Sequence, residues 1–414
     1  MYFLSRGMSG FAGGSVNWLT PRRMTSMSAV MVIVYVAFIA TWGWVSHGFA
    51  MTHGARPGID FSIFWAASHL MLQGAPAQVY EHFAFTKAQM DLFGGFADAY
   101  AVGWVYPPSF LAVVTPFALL PLPIAYLLFI AGGVWLYTSA TLRASNIAHA
   151  LGGKRAAALV IAAAPGVFVA AVIGQNSLVT AALAALAMTR IPQKPVMAGV
   201  CIGLLAIKPQ MAIVFPFVLI AARAWKVLAV AALTAIAVTA AGVVICGPQS
   251  LPSFLVNANV LRDALLDHGG QGFWFASPTA FSALRLAGLP VVAAYAGHVL
   301  VAAVAIGSAC HVWRNCRDVR LRAAILSIAA LLASPYVWHY ELAWLGIALA
   351  CIAAMAFDTG WLRGEKTAWL LGWLLPIYEH FNRLTMLPQL GPLILLVLLW
   401  MVLQRASASV GSEQ

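Results

Sequence analysis

Charge is what this sequence has least of: only 8% of its 414 residues are Asp, Glu, Lys or Arg, against 62% hydrophobic. A chain so poor in polar surface cannot close around itself in water, which excludes an ordinary soluble domain. Its apolar runs recur at bilayer-crossing length, and they are rich in Ala, Leu, Val and Gly, as spans are when they satisfy every backbone group internally and pack closely. The expected fold is therefore an all-α polytopic membrane protein. Acids are the scarcer sign, 12 Asp plus Glu against 23 Lys plus Arg, so each carboxylate can be weighed individually. Cysteine is also sparse: Cys201, Cys246, Cys310, Cys316 and Cys351 lie mostly inside or beside apolar runs, without metal-ligand spacing, and read as packing residues. The net charge of +11 does not point to nucleic acid, because the basic residues sit in short clusters between apolar runs, as cytoplasmic loops do. No internal repeat or low-complexity tract is evident.

Counting apolar runs gives about twelve spans, near 27–49, 122–142, 155–173, 177–190, 195–208, 210–224, 227–246, 290–312, 321–335, 338–357, 367–384 and 389–404. Arg6, Arg22 and Arg23 precede the first run, which is longer than a secretory hydrophobic region and reads as an uncleaved signal anchor. Starting inside, the alternation leaves Arg143, Lys154, Arg155, Arg190, Lys194, Arg314, Arg317, Arg320 and Arg322 among a cytoplasmic majority of basic residues. Both termini are then cytoplasmic, in a multi-pass protein of a bacterial-type inner membrane. The whole chain, 1–414, is read as one integral-membrane domain.

Two larger segments face outward on this reading, 52–121 and 247–290. In the first, Phe61, Phe64, Trp65, Ser68 and Leu72 follow helical spacing while Ser62, His69 and Gln73 fall on another face. This predicts an amphipathic helix on the outer leaflet with Asp60 at its N-cap. The apolar run between Pro108 and Pro121, too short to cross, predicts a second juxtamembrane helix. Gln175 and Asn176, Lys208 and Gln210, and His339 and Glu341 fall at outward ends of spans, where helix packing can gather them around the first loop.

The motifs at these places resemble those of integral-membrane glycosyltransferases of the GT-C class, family 87. They are Gly58-Ile59-Asp60-Phe61-Ser62-Ile63-Phe64-Trp65, then Tyr106-Pro107-Pro108, Gly174-Gln175-Asn176-Ser177, Lys208-Pro209-Gln210, and Ser334-Pro335-Tyr336 through Tyr340-Glu341-Leu342. One departure is Glu341, which stands where the family pattern has Asp. The resemblance implies an inverting transferase that moves a sugar, with mannose favoured, from a polyprenyl-phosphate donor to a hydroxyl on a glycolipid or glycan acceptor. It implies that the acid of the first motif, Asp60, is the catalytic base. Membrane lipids are the expected surroundings, and no cofactor is implied.

That chemistry suits these residue types. Transfer from a lipid-linked sugar phosphate passes through an oxocarbenium-like state, and a phosphate leaving group needs no general acid, so one carboxylate base suffices. As a residue, Asp60 is otherwise a helix cap or a loop carboxylate paired with Arg56. Lys208, at a membrane-embedded span end, needs an anionic partner or a wet cavity, or else snorkels to the headgroups. It is a candidate ligand of the donor phosphate, together with His339, Arg262 and Arg285; Glu341 is a candidate to orient His339 or another cation. Gln175, Asn176, Gln210, Trp65, Tyr106 and Glu341 are candidates to bind the sugar or acceptor, although Gln175 and Asn176 also suit caps and the aromatics suit an interfacial belt. Outer-loop acids are few and irregularly spaced, so no metal site is expected. The alternative classes are a secondary transporter or a lipid flippase. A transporter places its ionisable residues at mid-bilayer in paired repeats.

Overall fold

The computed structural model describes residues 19–46, 56–93 and 104–411, with the side chains of residues 271 and 409–411 excepted. Arg6, the end of the first apolar run at 47–49, and parts of the first loop (52–55 and 94–103) lie outside the described residues. Every regular element described is helical.

The chain enters through α1 (Pro21–Val45), whose start is set by Pro21 in the first turn and by Thr20, whose side chain accepts from the Arg23 N–H. The first loop then holds α2 (Ile59–Leu72), α3 (His82–Leu92) and α4 (Pro108–Val114), the last continued by a 3-10 turn to Leu119. A bundle follows: α5 (Leu122–Ser145), α6 (Lys154–Ala162), α7 (Pro165–Ile173), α8 (Ser177–Arg190), α9 (Pro195–Gly203), α10 (Val214–Ala221) and α11 (Trp225–Cys246). The second outer segment supplies α12 (Ser250–Arg262), the one-turn α13 (Phe273–Ala276) and α14 (Ala280–Leu286). The chain closes with α15 (Val291–Asn315), α16 (Val319–Ala333), α17 (Ala343–Thr359), α18 (Glu365–Thr385) and α19 (Gly391–Gly411).

Six of the described helices are long and apolar enough to cross a bilayer, or seven if α6 and α7 count as one span bent by 57°. The expected count of about twelve is not confirmed. The difference comes from one interrupted run and from runs that form helices shorter than a crossing. Pro165 breaks the run at 155–173 because it lacks an N–H and clashes with the preceding turn. The stretches 177–190, 195–207 and 209–221 are each a short apolar helix rather than a full-length one. α16 and α17 form the centre and are buried almost throughout, whereas α11 turns Leu233, Ile236 and Val244 outward, as a lipid-facing helix does.

The first loop carries its own apolar core. Phe61 and Phe64 of α2 pack among Trp104, Phe110 and Tyr126, with edge-on ring contacts of Phe64 to Trp104, Tyr106 and Phe110 at 5.0–5.8 Å. α2 is consequently not two-faced as expected: Ser62, from the face expected to be polar, is as buried as Phe61 and Ser68, while Leu72, from the apolar face, is 49% exposed. Those hydroxyls are satisfied within the helix, donating to the carbonyls of Ile59 and Phe64.

Candidate functional site

Four junctions meet at one end of the bundle: the start of α2, the α7–α8 corner, the break at Lys208 and the segment between α16 and α17. Two glycines set the first contact. Gly58 caps α2 at φ 74° and Gly174 ends α7 at φ 80°, both in the left-handed region that favours glycine. The Gly58 N–H donates to the Val172 carbonyl at 2.7 Å. A Cβ on Gly174 would lie 2.7 Å from Phe61 Cβ and 3.0 Å from Gly58 Cα, so the two corners touch only because Gly174 carries no side chain; a Cβ on Gly58 would meet the Tyr126 ring at 2.6 Å. Asp60 is therefore not the N-cap expected from the sequence. It occupies the first turn, where the helix dipole favours a carboxylate.

From that position Asp60, 5% exposed, faces the α7–α8 corner. The amide nitrogen of Gln175 donates to Asp60 Oδ2 at 2.5 Å and to the Tyr106 hydroxyl at 2.8 Å. Burial first, and the Asp60 charge second, hold the Tyr106 phenol well above its usual pKa, so it remains a neutral hydroxyl. Asp60, Tyr106 and Gln175 line a pocket of about 30 Å³ with Phe64, Tyr336 and Tyr340.

The next corner supplies the cation. Lys208, 3% exposed, pairs with Glu341 Oε1 at 2.5 Å and donates to Asn176 Oδ1 at 3.0 Å. Its ammonium also lies 5.0 Å from the Tyr340 ring centroid. The other Glu341 oxygen accepts the Trp338 N–H at 2.7 Å, which fixes the carboxylate on its short 3-10 turn. Lys208 does not snorkel; it is held inward by a buried counter-ion.

Lys208 opens onto a larger cavity of about 430 Å³, within the usual range for small-molecule sites. Gln210, Arg262, Tyr106, Tyr336 and Tyr340 supply polar atoms there, while Ile207, Ile213, Phe254, Ala258 and Leu261 make an apolar wall. Tyr106, Tyr336, Tyr340, Val105 and Leu261 line both spaces, so the small pocket containing Asp60 abuts the large cavity across a tyrosine wall.

The structure thus brings together Asp60, Tyr106, Gln175, Asn176, Lys208, Gln210, Arg262 and Glu341. Three other candidates stand apart. Trp65 lines neither space; its indole N–H donates to the Leu120 carbonyl at 2.9 Å and its ring stacks on Phe93. Arg285 is spent on carbonyls, donating to Leu289 at 2.7 Å and Asp267 at 3.1 Å over the Trp274 ring. His339 is buried against His380, with ring centroids 4.9 Å apart, and lines neither cavity. Of the two expectations for Glu341, orienting His339 gives way and holding another cation is met, since its oxygens are engaged by Lys208 and the Trp338 N–H. Tyr336 and Tyr340 were not singled out from sequence, although both fall inside the motif containing Glu341. Among the described residues, no group of three or more His, Cys, Asp or Glu converges as metal ligands would.

A sequence model described as Glycosyltransferase family 87 matches residues 104–335, more than half of the chain. No curated protein matches, and no solved structure does.

Proposed function

Because the chain belongs to glycosyltransferase family 87, we propose that it moves a sugar, mannose being favoured, from a polyprenyl-phosphate donor to a hydroxyl acceptor. A glycosyltransferase requires both a donor and an acceptor, and two adjoining spaces of different character suit that pairing. The observation that carries the reading is a buried carboxylate in a small pocket sharing a wall with a larger, cation-bearing apolar cavity.

In this reading the large cavity takes the donor. Its aliphatic wall suits an isoprenoid chain, and Lys208 and Arg262 suit the phosphate, as cations do where charge develops on a leaving group. The small pocket admits one or two water-sized groups and suits the attacking hydroxyl rather than a whole sugar. Asp60 accepts the proton as the acceptor oxygen bonds to the anomeric carbon and the bond from that carbon to the phosphate oxygen breaks; the phosphate leaves as the anion. Attack from the face opposite the phosphate inverts the anomeric centre. With the apolar helices in an inner membrane and the basic clusters on the cytoplasmic side, this site opens on the outer face and both termini are cytoplasmic. The acceptor is a glycolipid or glycan hydroxyl.

The test is to incubate the purified protein with radiolabelled polyprenyl-phosphate mannose and a membrane lipid extract, then identify what becomes labelled. Transfer of label with inversion supports the proposal. Label that remains on the donor, or free mannose alone, contradicts it.

A further inference from the structure

The corner joining α7 to α8 faces both halves of the site from two adjacent residues. Gln175 and Asn176 are 2% and 1% exposed, and their backbone is fixed: the Gln175 N–H donates to the Ala170 carbonyl at 3.0 Å, and the Asn176 carbonyl accepts from Val179 and Thr180, both at 3.0 Å. The Gln175 side-chain oxygen accepts the Asn176 N–H at 3.1 Å, which assigns the amide's orientation and turns its nitrogen toward Asp60 and Tyr106. Asn176 turns the other way and gives its oxygen to Lys208. A continuous chain of polar contacts therefore runs from Asp60 through Gln175 and Asn176 to Lys208 and Glu341.

We propose that Gln175 and Asn176 are positioning residues, Gln175 orienting the Asp60 base and Asn176 placing the Lys208 ammonium, so that one rigid corner fixes the spacing between base and donor-side cation. This rests on the roles given to Asp60 and Lys208 above, and it assigns Gln175 to the carboxylate rather than to a sugar hydroxyl. Neither amide transfers a proton. Their effect is geometric, because the attacking and leaving oxygens must lie on opposite faces of one carbon and small misplacements slow such reactions steeply. Gln175 also acts on charge: an N–H donor to a carboxylate favours the ionised form, and its loss moves the titration of Asp60 upward. The titratable groups around Asp60 include the phenols of Tyr106, Tyr336 and Tyr340 on the opposing segments, with Glu341 and its Lys208 partner beyond them. Arg56, four residues earlier in the chain, lies over the Phe93 ring at 4.2 Å. Phenols titrate far above the acid side of the profile, which leaves the carboxyls of Asp60 and Glu341 on it, and Gln175 donates to Asp60.

The experiment is steady-state kinetics across pH with polyprenyl-phosphate mannose and lipid extract, using wild type, Asp60→Asn, Gln175→Met, Gln175→Glu, Asn176→Leu and Asn176→Ala, each matched to wild type by melting temperature in detergent. Gln175→Met should raise the acid limb of kcat/KM by about one pH unit and lower kcat roughly 10- to 100-fold, with donor KM little changed. Gln175→Glu, of equal size and hence a second chance at a folded protein, should raise the limb further because two acids then share the pocket. The Asn176 variants should raise donor KM roughly tenfold and leave the acid limb in place. An acid limb at the wild-type position in both Gln175 variants, or an unchanged donor KM in both Asn176 variants, overturns the inference while leaving Asp60 as the base. Full turnover by Asp60→Asn overturns that underlying reading as well.

Discussion

Replacing Glu341 by Gln should destabilise the protein more than replacing both partners of its ion pair. Lys208 and Glu341 are 3% and 0% exposed and meet at 2.5 Å, so removing the carboxylate charge leaves a buried ammonium with neutral partners alone: an amide oxygen, Asn176 Oδ1 and the Tyr340 ring. Breaking a buried pair from one side costs about 3–5 kcal/mol, most of it the penalty of the charge left behind, whereas removing both charges together is often neutral. The expected pattern is a loss of about 3–5 kcal/mol for Glu341→Gln and a similar loss for Lys208→Met, with most of it recovered in the double variant. The assay is reversible unfolding in detergent micelles for the four proteins of the cycle. A double variant whose loss equals the sum of the single losses would refute the reasoning, since the two groups would then act independently.

Gly174→Ala should cost about 2–4 kcal/mol, combining left-handed backbone strain with the collision at Phe61 and Gly58, and should lower kcat because Gln175 moves with it; unfolding and turnover measured together check this. Tyr106→Phe removes the hydroxyl that accepts from Gln175, and a fall in kcat of roughly 3- to 10-fold is expected from steady-state rates. Lys208→Ala and Arg262→Ala should each raise donor KM roughly tenfold or more, measured with polyprenyl-phosphate mannose. Arg285→Leu should leave donor KM within about twofold, because its guanidinium already serves two carbonyls, while lowering stability by about 1–2 kcal/mol.

Composition and motif order made the helical membrane class legible, and with it most of the residues that meet at the candidate site. Asp60, Gln175, Asn176, Lys208, Gln210, Arg262 and Glu341 lie at or beside two adjoining cavities, because polar residues at the ends of apolar helices collect where those ends meet. Sequence neighbours misled where local geometry was unknown. His339 and Glu341 are two positions apart on a tight turn, so they diverge, one to His380 and the other to Lys208. Trp65 lies five residues after Asp60, which is about 140° around the helix, and so faces Leu120 and Phe93 instead of the pocket. The N-cap was misplaced at Asp60 because Gly58, free to adopt a positive φ, starts the helix two residues sooner. Counting apolar runs could not separate a crossing helix from a shorter one, since Pro165 bends the run at 155–173 and the runs at 177–190, 195–208 and 210–224 form helices too short to cross.

If the carboxylate of Asp60 is the base for glycosyl transfer, turnover by Asp60→Asn is the measurement that tests it most directly. Asn preserves the shape and an oxygen for the Gln175 bond but cannot accept the acceptor's proton at neutral pH. Wild type and variant would be compared at equal folded concentration, with polyprenyl-phosphate mannose in excess. A fall in kcat of roughly 10²- to 10⁴-fold at unchanged donor KM and melting temperature is expected. A variant that turns over within a few-fold of wild type would contradict the account.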